Sequence, residues 1–238
     1  MQILGIRIDN FDKKEILKKI EFFLVENSFH QIATVNPEFI LQAQDDVEFR
    51  NILNETALNV ADGIGIRYAF LRNFSWLKAR IAGVDLMLEI LQLANQKGLK
   101  VFLAINKDGL SKFEEIKKTL LEKYPDLKID GSEFEKEHFS SHEMQSDVLQ
   151  SECEILFCNF GAPAQEKFIN SQKNGTIKLA MGVGGSFDFL TGKISRAPKI
   201  LRLLGLEWAY RFSQQPKQRA SRIYNATVVF AWKVLLKR

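Results

Sequence analysis

The chain has 238 residues, of which 46% are hydrophobic and 26% charged, and its formal net charge is +4. This composition supports one large or two small domains, and it excludes disordered and collagen-like chains. Cys153 and Cys158 are too few for a disulfide framework, so we expect a protein of the reducing cytoplasm. The first residues lack the pattern of a secretory signal. No apolar run approaches the ~20 residues of a membrane-spanning helix.

The charge is distributed unevenly along the chain. Residues 196–238 contain ten basic residues and one acidic residue, Glu207, whereas residues 1–195 contain 23 basic and 28 acidic residues. A mildly acidic globule therefore carries a strongly basic tail. Such tails bind phosphate groups of nucleic acids, anionic membranes or phosphorylated substrates.

Short apolar runs alternate with helical periodicity through the first 195 residues. The predicted strands cover residues 2–8, 31–35, 57–60, 100–105, 127–130, 154–158 and 178–183. The predicted helices cover residues 12–26, 83–97, 109–123 and 163–172, and a further helix is expected to begin at Pro37. The polar stretch 131–146 is expected to be a surface connection. This alternation predicts an α/β fold with a largely parallel sheet.

The tail follows a different pattern. Residues 199–212 and 222–238 are predicted to form helices with no strand between them, and the segment 226–236 is nearly all apolar. Eleven residues are too few to span a bilayer but suit a helix at its surface. A C-terminal helix that completes the core is an equally good interpretation of the pattern alone. The positive charge favours the membrane, so we divide the chain into a core (1–195) and a basic amphipathic helical appendage (196–238).

Ligands of open parallel α/β sheets bind beyond the carboxyl ends of the strands, where polar side chains occur in this sequence. Thr34 and Asn36 follow one predicted strand, and Asp62 follows another in the segment ADGIG. Asp62 could act as a general base on a substrate hydroxyl. The local pattern by itself favours a helix N-cap, since Asp is a preferred cap residue.

Two further strand ends carry loops suited to ligands. The segment GVGGSFD (182–188) could bind phosphate through backbone N–H groups, although it is neither a complete GxGxxG nor a Walker motif, and a tight turn accounts for its glycines equally well. In GAPAQE (161–166), Gln165 could bind a sugar or base, or face solvent.

The sequence offers no recognisable metal site. His30, His138 and His142 lack a zinc-site spacing with the cysteines, and no Asp-x-Asp pair is present. There is also no GxSxG elbow of a hydrolase. If a nucleotide diphosphate leaves at this site, we therefore expect arginines of the tail, rather than a metal ion, to stabilise it.

Six segments in register resemble one family, the WecG/TagA/CpsF glycosyltransferases (glycosyltransferase family 26), over nearly the whole chain. These segments are TVNPE (34–38), ADGIG (61–65), RIAGVDL (80–86), GAPAQE (161–166), GVGGSFDFLTGKISRAP (182–198) and GLEWAYR (205–211). The resemblance implies a Rossmann-like α/β core and a helical appendage that approaches the membrane. It also implies an inverting transferase that moves an N-acetylmannosamine-type sugar from a UDP-sugar to an undecaprenyl-diphosphate-linked sugar, for cell-surface polysaccharide or teichoic acid.

The resemblance also implies roles for individual residues. It favours Asp62 as the base over Asp62 as a cap, with Thr34 and Asn36 beside it in the pocket. The residues expected to bind the donor or the diphosphates are Gln165, Gly184, Gly185, Asp188, Arg80, Arg211, Arg219 and Arg222. The implied site needs no cofactor, because the UDP-sugar is a substrate, and the protein is expected on the inner face of the cytoplasmic membrane.

The chain departs from the family pattern in two regions that could shape the donor site. LAINKDG (103–109) stands where a glycine-containing turn is common, and GSEFEKEHF (131–139) replaces a histidine-glycine-aromatic stretch. In addition, Phe168 stands where a tryptophan is commoner. The identity of the donor sugar therefore stays open.

Two alternatives differ in class from a transferase. One is a Rossmann-like protein that binds a nucleotide or nucleic acid through its basic tail, but the tail is apolar as well as basic, which suits lipid better. The other is a nicotinamide-dependent oxidoreductase. Such an enzyme needs a GxGxxG motif after its first strand, and this chain has none there. Exposed apolar residues in the tail would also suit a homo-oligomer.

Overall fold

The computed structural model describes residues 1–135, 142–214 and 216–236, apart from the side chains at positions 142, 143, 218 and 219. The strands are β1 (Gln2–Ile3), β2 (Ile6–Arg7), β3 (His30–Val35), β4 (Leu58–Ala61), β5 (Lys100–Asn106), β6 (Lys128–Phe134), β7 (Ile155–Cys158) and β8 (Leu179–Gly182). The helices of the core are α1 (Lys13–Val25), α2 (Pro37–Asp45), α3 (Val47–Glu55), α4 (Ile64–Arg72), α5 (Gly83–Lys97), α6 (Phe113–Lys123), α7 (His142–Gln150), α8 (Ala164–Ser171) and α9 (Ser186–Leu190).

Six strands form one parallel sheet in the order β4-β3-β8-β7-β5-β6, which confirms the predicted α/β class. Its central strands are buried on both faces, as expected where helices cover a parallel sheet. Helices α1, α5, α6 and α9 pack on one face, and α2, α3, α4, α7 and α8 pack on the other.

Two predictions about the core were wrong in detail. Residues 2–8 are not a single strand but two short antiparallel strands, because Leu4 (φ 48°) and Gly5 (φ 82°) turn the chain back on itself. The stretch 131–146 is not wholly a surface connection. Residues 131–134 extend β6 alongside β5, and α7 begins at His142. His138, like the rest of 136–141, lies outside the described residues.

The tail is more finely divided than predicted. It contains α10 (Lys199–Leu203), α11 (Glu207–Gln214), α12 (Pro216–Tyr224), a π-helical turn (Asn225–Val229) and α13 (Phe230–Leu236). The expected helix 199–212 is interrupted because Gly205 adopts a φ of 75°. The expected helix 222–238 begins earlier, at Pro216.

The last helix of the tail packs on the core. Phe230 and Val234 are buried in the cluster between α4 and the sheet, whereas Trp232 and Leu236 on the same helix are exposed. Within the described residues, no helix is both long and apolar enough to cross a membrane.

Candidate active site

A cleft of about 810 Å³ lies beyond the carboxyl ends of β3, β4 and β8. The chain leaves β3 toward α2 on one face of the sheet and leaves β8 toward α9 on the opposite face. Neighbouring strands whose connections diverge in this way leave a crevice between them, and this is where open α/β sheets bind ligands. Helices α11 and α12, together with the π-helical turn, form the opposite wall.

Asp62 lies in this cleft immediately after β4. The cap interpretation is wrong, because the N-cap position of α4 is Gly63, with a φ of 85° and no side-chain cap. Burial in the cleft and the nearby carboxylate of Glu207 raise the pKa of Asp62 to about 6, against the opposing effects of Arg211 and Arg80. The carboxyl group is therefore ionised at neutral pH and has a pKa suited to general-base catalysis.

Thr34 and Asn36 line the same cleft at the end of β3, as predicted. Thr34 is buried, and its Oγ1 would lie 3.1 Å from a β-carbon placed on Gly83. Asn36 is the N-cap of α2, because its Oδ1 accepts a hydrogen bond from the Phe39 N–H at 3.1 Å. Its Nδ2 does not take part in that cap, so Asn36 combines a structural function with a position in the cleft.

Gln165 is buried at the base of the cleft and joins two of its loops. Its Oε1 accepts hydrogen bonds from the backbone N–H groups of Gly161 and Gly184, both at 3.1 Å, and its Nε2 donates to Glu166 Oε1 at 2.7 Å. Glu166 is also buried, its Oε2 has no hydrogen-bond partner, and burial raises its pKa to about 8. A β-carbon on Gly182 would lie 2.6 Å from Glu166 Oε1, so this pair requires a glycine at the end of β8.

Gly184, Gly185 and Asp188 line the cleft on the β8 side. The Asp188 carboxylate accepts a hydrogen bond from Ser111 Oγ at 2.8 Å, which joins α9 to the loop after β5. The last residue of β5, Asn106, and residues 108–110 of that loop also line the cleft. One of the two departures from the family pattern therefore forms part of the site. In the other, the described residues 131–135 do not line the cleft.

The arginines at the cleft differ in their partners. Arg222 forms a two-point ion pair with Glu38, with Nε–Oε1 at 2.9 Å and Nη2–Oε2 at 2.5 Å. Arg80 instead donates to the Arg202 carbonyl at 2.6 Å. Arg211 lies over the Phe189 ring at 4.3 Å, and burial lowers its pKa.

Among the described residues, Arg80 and Arg211 form no ion pair with a carboxylate, and Arg211 Nε has no hydrogen-bond partner. These two guanidinium groups are therefore the cleft cations best suited to bind phosphate. The side chain of Arg219, which we also expected near the diphosphates, lies outside the described residues.

Several side chains in the cleft were not predicted from the sequence. Glu207 raises the pKa of Asp62, Glu38 binds Arg222, and Asn225 and Thr227 line the wall formed by the tail. The motif GLEWAYR contained Glu207, but only the folded tail brings this carboxylate opposite Asp62. Within the described part of the chain, no group of three or more His, Cys, Asp or Glu side chains is arranged to hold a metal ion.

Comparison with known proteins agrees with this architecture. The family described as "Glycosyl transferase WecG/TagA/CpsF family" matches residues 1–238. Two similar proteins are both named N-acetylglucosaminyldiphosphoundecaprenol N-acetyl-beta-D-mannosaminyltransferase. The protein of Staphylococcus aureus (strain MRSA252) is 31% identical over 219 residues, which are 89% of this chain and 83% of that protein. The protein of Bacillus subtilis (strain 168) is 32% identical over 192 residues, which are 78% of this chain and 72% of that protein.

Proposed function

The chain belongs to the glycosyl transferase WecG/TagA/CpsF family, and we propose that it transfers an N-acetylmannosamine-type sugar from a UDP-sugar to a polyprenyl-diphosphate-linked N-acetylglucosamine. The names of the similar proteins support this acceptor and this sugar. The product belongs to the synthesis of a cell-surface polysaccharide or teichoic acid. The protein acts on the inner face of the cytoplasmic membrane and uses no cofactor, because the UDP-sugar is a substrate.

One observation supports the proposal above all others. A single cleft contains a carboxylate with a pKa of about 6, Asp62, and two arginines without carboxylate partners among the described residues, Arg80 and Arg211. Transfer with inversion needs a base beside the acceptor hydroxyl and positive charge beside the leaving diphosphate. The cleft supplies both from protein side chains.

The reaction proceeds as one in-line displacement. Asp62 removes the proton of the acceptor hydroxyl as its oxygen bonds to the anomeric carbon, on the side opposite UDP. The bond from that carbon to the diphosphate oxygen breaks, and its electron pair leaves with UDP. Arg80 and Arg211 stabilise the negative charge that develops there, so the reaction proceeds without a metal ion.

The β8 side of the cleft holds the donor. The glycines at 184 and 185 leave backbone space for the phosphates, and Asp188 lies near the nucleotide. Gln165 acts as a positioning residue, since its amide oxygen holds the loops at Gly161 and Gly184 together. Thr34 and Asn36 orient the sugar beside Asp62.

Release of UDP from a panel of UDP-sugars tests this proposal. The assay is run with and without a soluble undecaprenyl-diphosphate-N-acetylglucosamine analogue of short prenyl length, and with and without EDTA. Acceptor-dependent release from an N-acetylmannosamine donor, unchanged by EDTA, is expected. The anomeric configuration of the product, read by NMR, tests inversion separately.

Each alternative outcome has its own meaning. Loss of activity in EDTA would contradict stabilisation by arginines alone, and a product that retains the donor's anomeric configuration would contradict the single displacement. No release from any donor by folded protein would contradict the transferase assignment.

A further inference from the structure

The segment between Asp62 and Asp85 has an unusual composition for a part of the acidic core. Residues 63–84 contain four basic residues, Arg67, Arg72, Lys78 and Arg80, and no acidic residue. This segment comprises α4 and the loop that follows it, and it lies outside the basic tail. Lys78 forms an ion pair with Glu15 at 3.2 Å and Arg80 lines the cleft, so Arg67 and Arg72 supply the positive charge of α4 itself.

Helix α4 exposes an apolar stripe along its outer side. Ile64 and Tyr68 are each 37% exposed and Leu71 is 49% exposed. Their spacing of four and three residues places them on one side of the helix. The opposite side, with Ile66 and Phe70, is buried in the core, so burial of α4 does not explain the outer stripe.

The loop after α4 extends the stripe with two aromatic residues. Phe74 is 96% exposed in a backbone conformation (φ 52°) that bulky side chains rarely adopt, and Trp76 is 64% exposed. The Arg67 guanidinium lies 5.0 Å from the centre of the Trp76 ring. Asn10 fixes the loop, since its Nδ2 donates to the Trp76 carbonyl at 2.9 Å and its Oδ1 accepts from the Lys78 N–H at 2.8 Å. The aromatic side chains are thus displayed by an ordered loop.

This stripe adjoins both the cleft and the tail. Ile64 lines the cleft and packs against Gly205 of the tail, where an added β-carbon would lie 3.0 Å from Ile64 Cδ1. Helix α13 packs on α4, and its Trp232 and Leu236 are 62% and 66% exposed. Exposed apolar side chains of the core and of the tail therefore lie next to each other, and the stripe on α4 begins at the cleft.

We infer that α4 and the loop 73–78 form a second membrane-binding surface, in the core itself, for a bilayer rich in anionic phospholipid. Phe74 and Trp76 enter the boundary between headgroups and acyl chains, and Arg67 and Arg72 bind lipid phosphates. The inference rests on the proposed action at the membrane. It adds that the core itself contacts the bilayer next to α13 of the tail, through a helix that begins at the cleft.

Charge favours an anionic membrane over a second copy of the chain as the partner of this surface. In a two-fold symmetric dimer the same patch lies opposite itself, so Arg67 and Arg72 would face the same arginines of the other subunit. An anionic membrane instead supplies the opposite charge together with an apolar interior.

Fluorescence of Trp76 tests the inference directly. Trp76 is the single remaining tryptophan in the full-length double variant Trp208→Phe/Trp232→Phe. Vesicles of phosphatidylglycerol and phosphatidylcholine should shift its emission to the blue and allow quenching by brominated acyl chains, and pure phosphatidylcholine should have much less effect. In the otherwise wild-type chain, Phe74→Ser should weaken binding to the mixed vesicles about tenfold. The matched control is Phe22→Ser, an exposed aromatic of α1 on the opposite face of the sheet, which should leave binding unchanged.

A second reporter and a soluble acceptor separate this inference from the proposed function. If Trp232 alone, in Trp76→Phe/Trp208→Phe, reports insertion while Trp76 does not, the tail binds by itself and the inference is wrong. It is also wrong if no variant binds, or if Trp76 becomes buried by self-association without vesicles. Phe74→Ser should keep full activity on a soluble short-chain acceptor, and its activity on a vesicle-bound acceptor should fall about tenfold at limiting vesicle concentration. Loss of activity on both acceptors would overturn the inference and leave the transferase assignment standing.

Discussion

The two walls of the cleft differ in how far their polar side chains are hydrogen-bonded within the protein. On the strand side, polar groups are held by the sheet and by each other: Gln165 binds two backbone N–H groups, and Asn36 caps α2. On the tail side, Arg211 is half-buried without a carboxylate partner among the described residues, and much apolar surface is exposed. Within the described residues, the polar groups of the strand wall bind each other, whereas the tail wall keeps a guanidinium group without a carboxylate partner and exposed apolar side chains.

A second contrast lies within the tail wall itself. Arg222 is paired with Glu38 through two hydrogen bonds, whereas Arg211 faces Asp62 and Glu207 without such a pair. An arginine already neutralised by a carboxylate must give up that pair to bind phosphate, so the two residues should contribute unequally. The sequence alone predicts equal contributions from these two arginines.

The largest effect is expected at the strand wall. Asp62→Asn removes the base, and turnover should fall by roughly 10²–10⁴-fold, the usual contribution of general-base catalysis. UDP release measured under saturating substrates checks this. Asp126→Asn, at an exposed loop position, is the matched control and should retain full activity. Near-normal turnover of the Asp62 variant would show that the base is another group.

The next largest effect compares the two arginines. Arg211→Ala removes hydrogen bonds to a charged leaving group, worth about 1.5–3 kcal/mol, so kcat/KM should fall roughly 10–150-fold. Arg222→Ala should cost less than about tenfold, because Glu38 already binds this side chain. Equal losses in the two variants would remove the distinction between the paired and the unpaired arginine.

A smaller effect concerns the pH profile. An acid with a pKa of about 6 acts as a base only when ionised, so kcat/KM should rise with pH through about 6 and then level off. Glu207→Gln removes a negative charge that raises this pKa, and the rising limb should move to lower pH. Glu21→Gln, on the exposed side of α1, should leave the profile in place. A limb that did not respond to Glu207→Gln would place its titrating group elsewhere.

The smallest effect on turnover is expected at Glu166. Burial raises its pKa from 4.5 to about 8, so the folded state keeps a proton that the unfolded chain loses above 4.5. The free energy of unfolding should therefore fall as pH rises from 4.5 to 8, by at most about 1.4 kcal/mol per pH unit from this group. Glu166→Gln stays neutral and should lose this dependence while turnover changes less than about threefold. Denaturant unfolding across this pH range measures the slope, and an unchanged slope in the variant would contradict a protonated Glu166.

The sequence alone determined the fold class and the positions of most strands, because buried parallel strands appear as short apolar runs between amphipathic helices. It also placed Thr34, Asn36, Asp62 and Gln165 at strand ends, and the parallel topology brings such ends to one edge. The six motifs, in their order along the chain, were enough to identify the glycosyltransferase family without any knowledge of where the side chains lie.

Only the tertiary structure decided how these groups are partnered. The pairing of Arg222 with Glu38 joins residues 184 positions apart, and the pKa of Asp62 depends on Glu207, which reaches the cleft only when the tail folds over it. The exposure of the aromatic side chains after α4 likewise became evident only in the folded chain. Local sequence fixes the direction of a strand and the end of a helix, but partners and burial depend on contacts between distant segments.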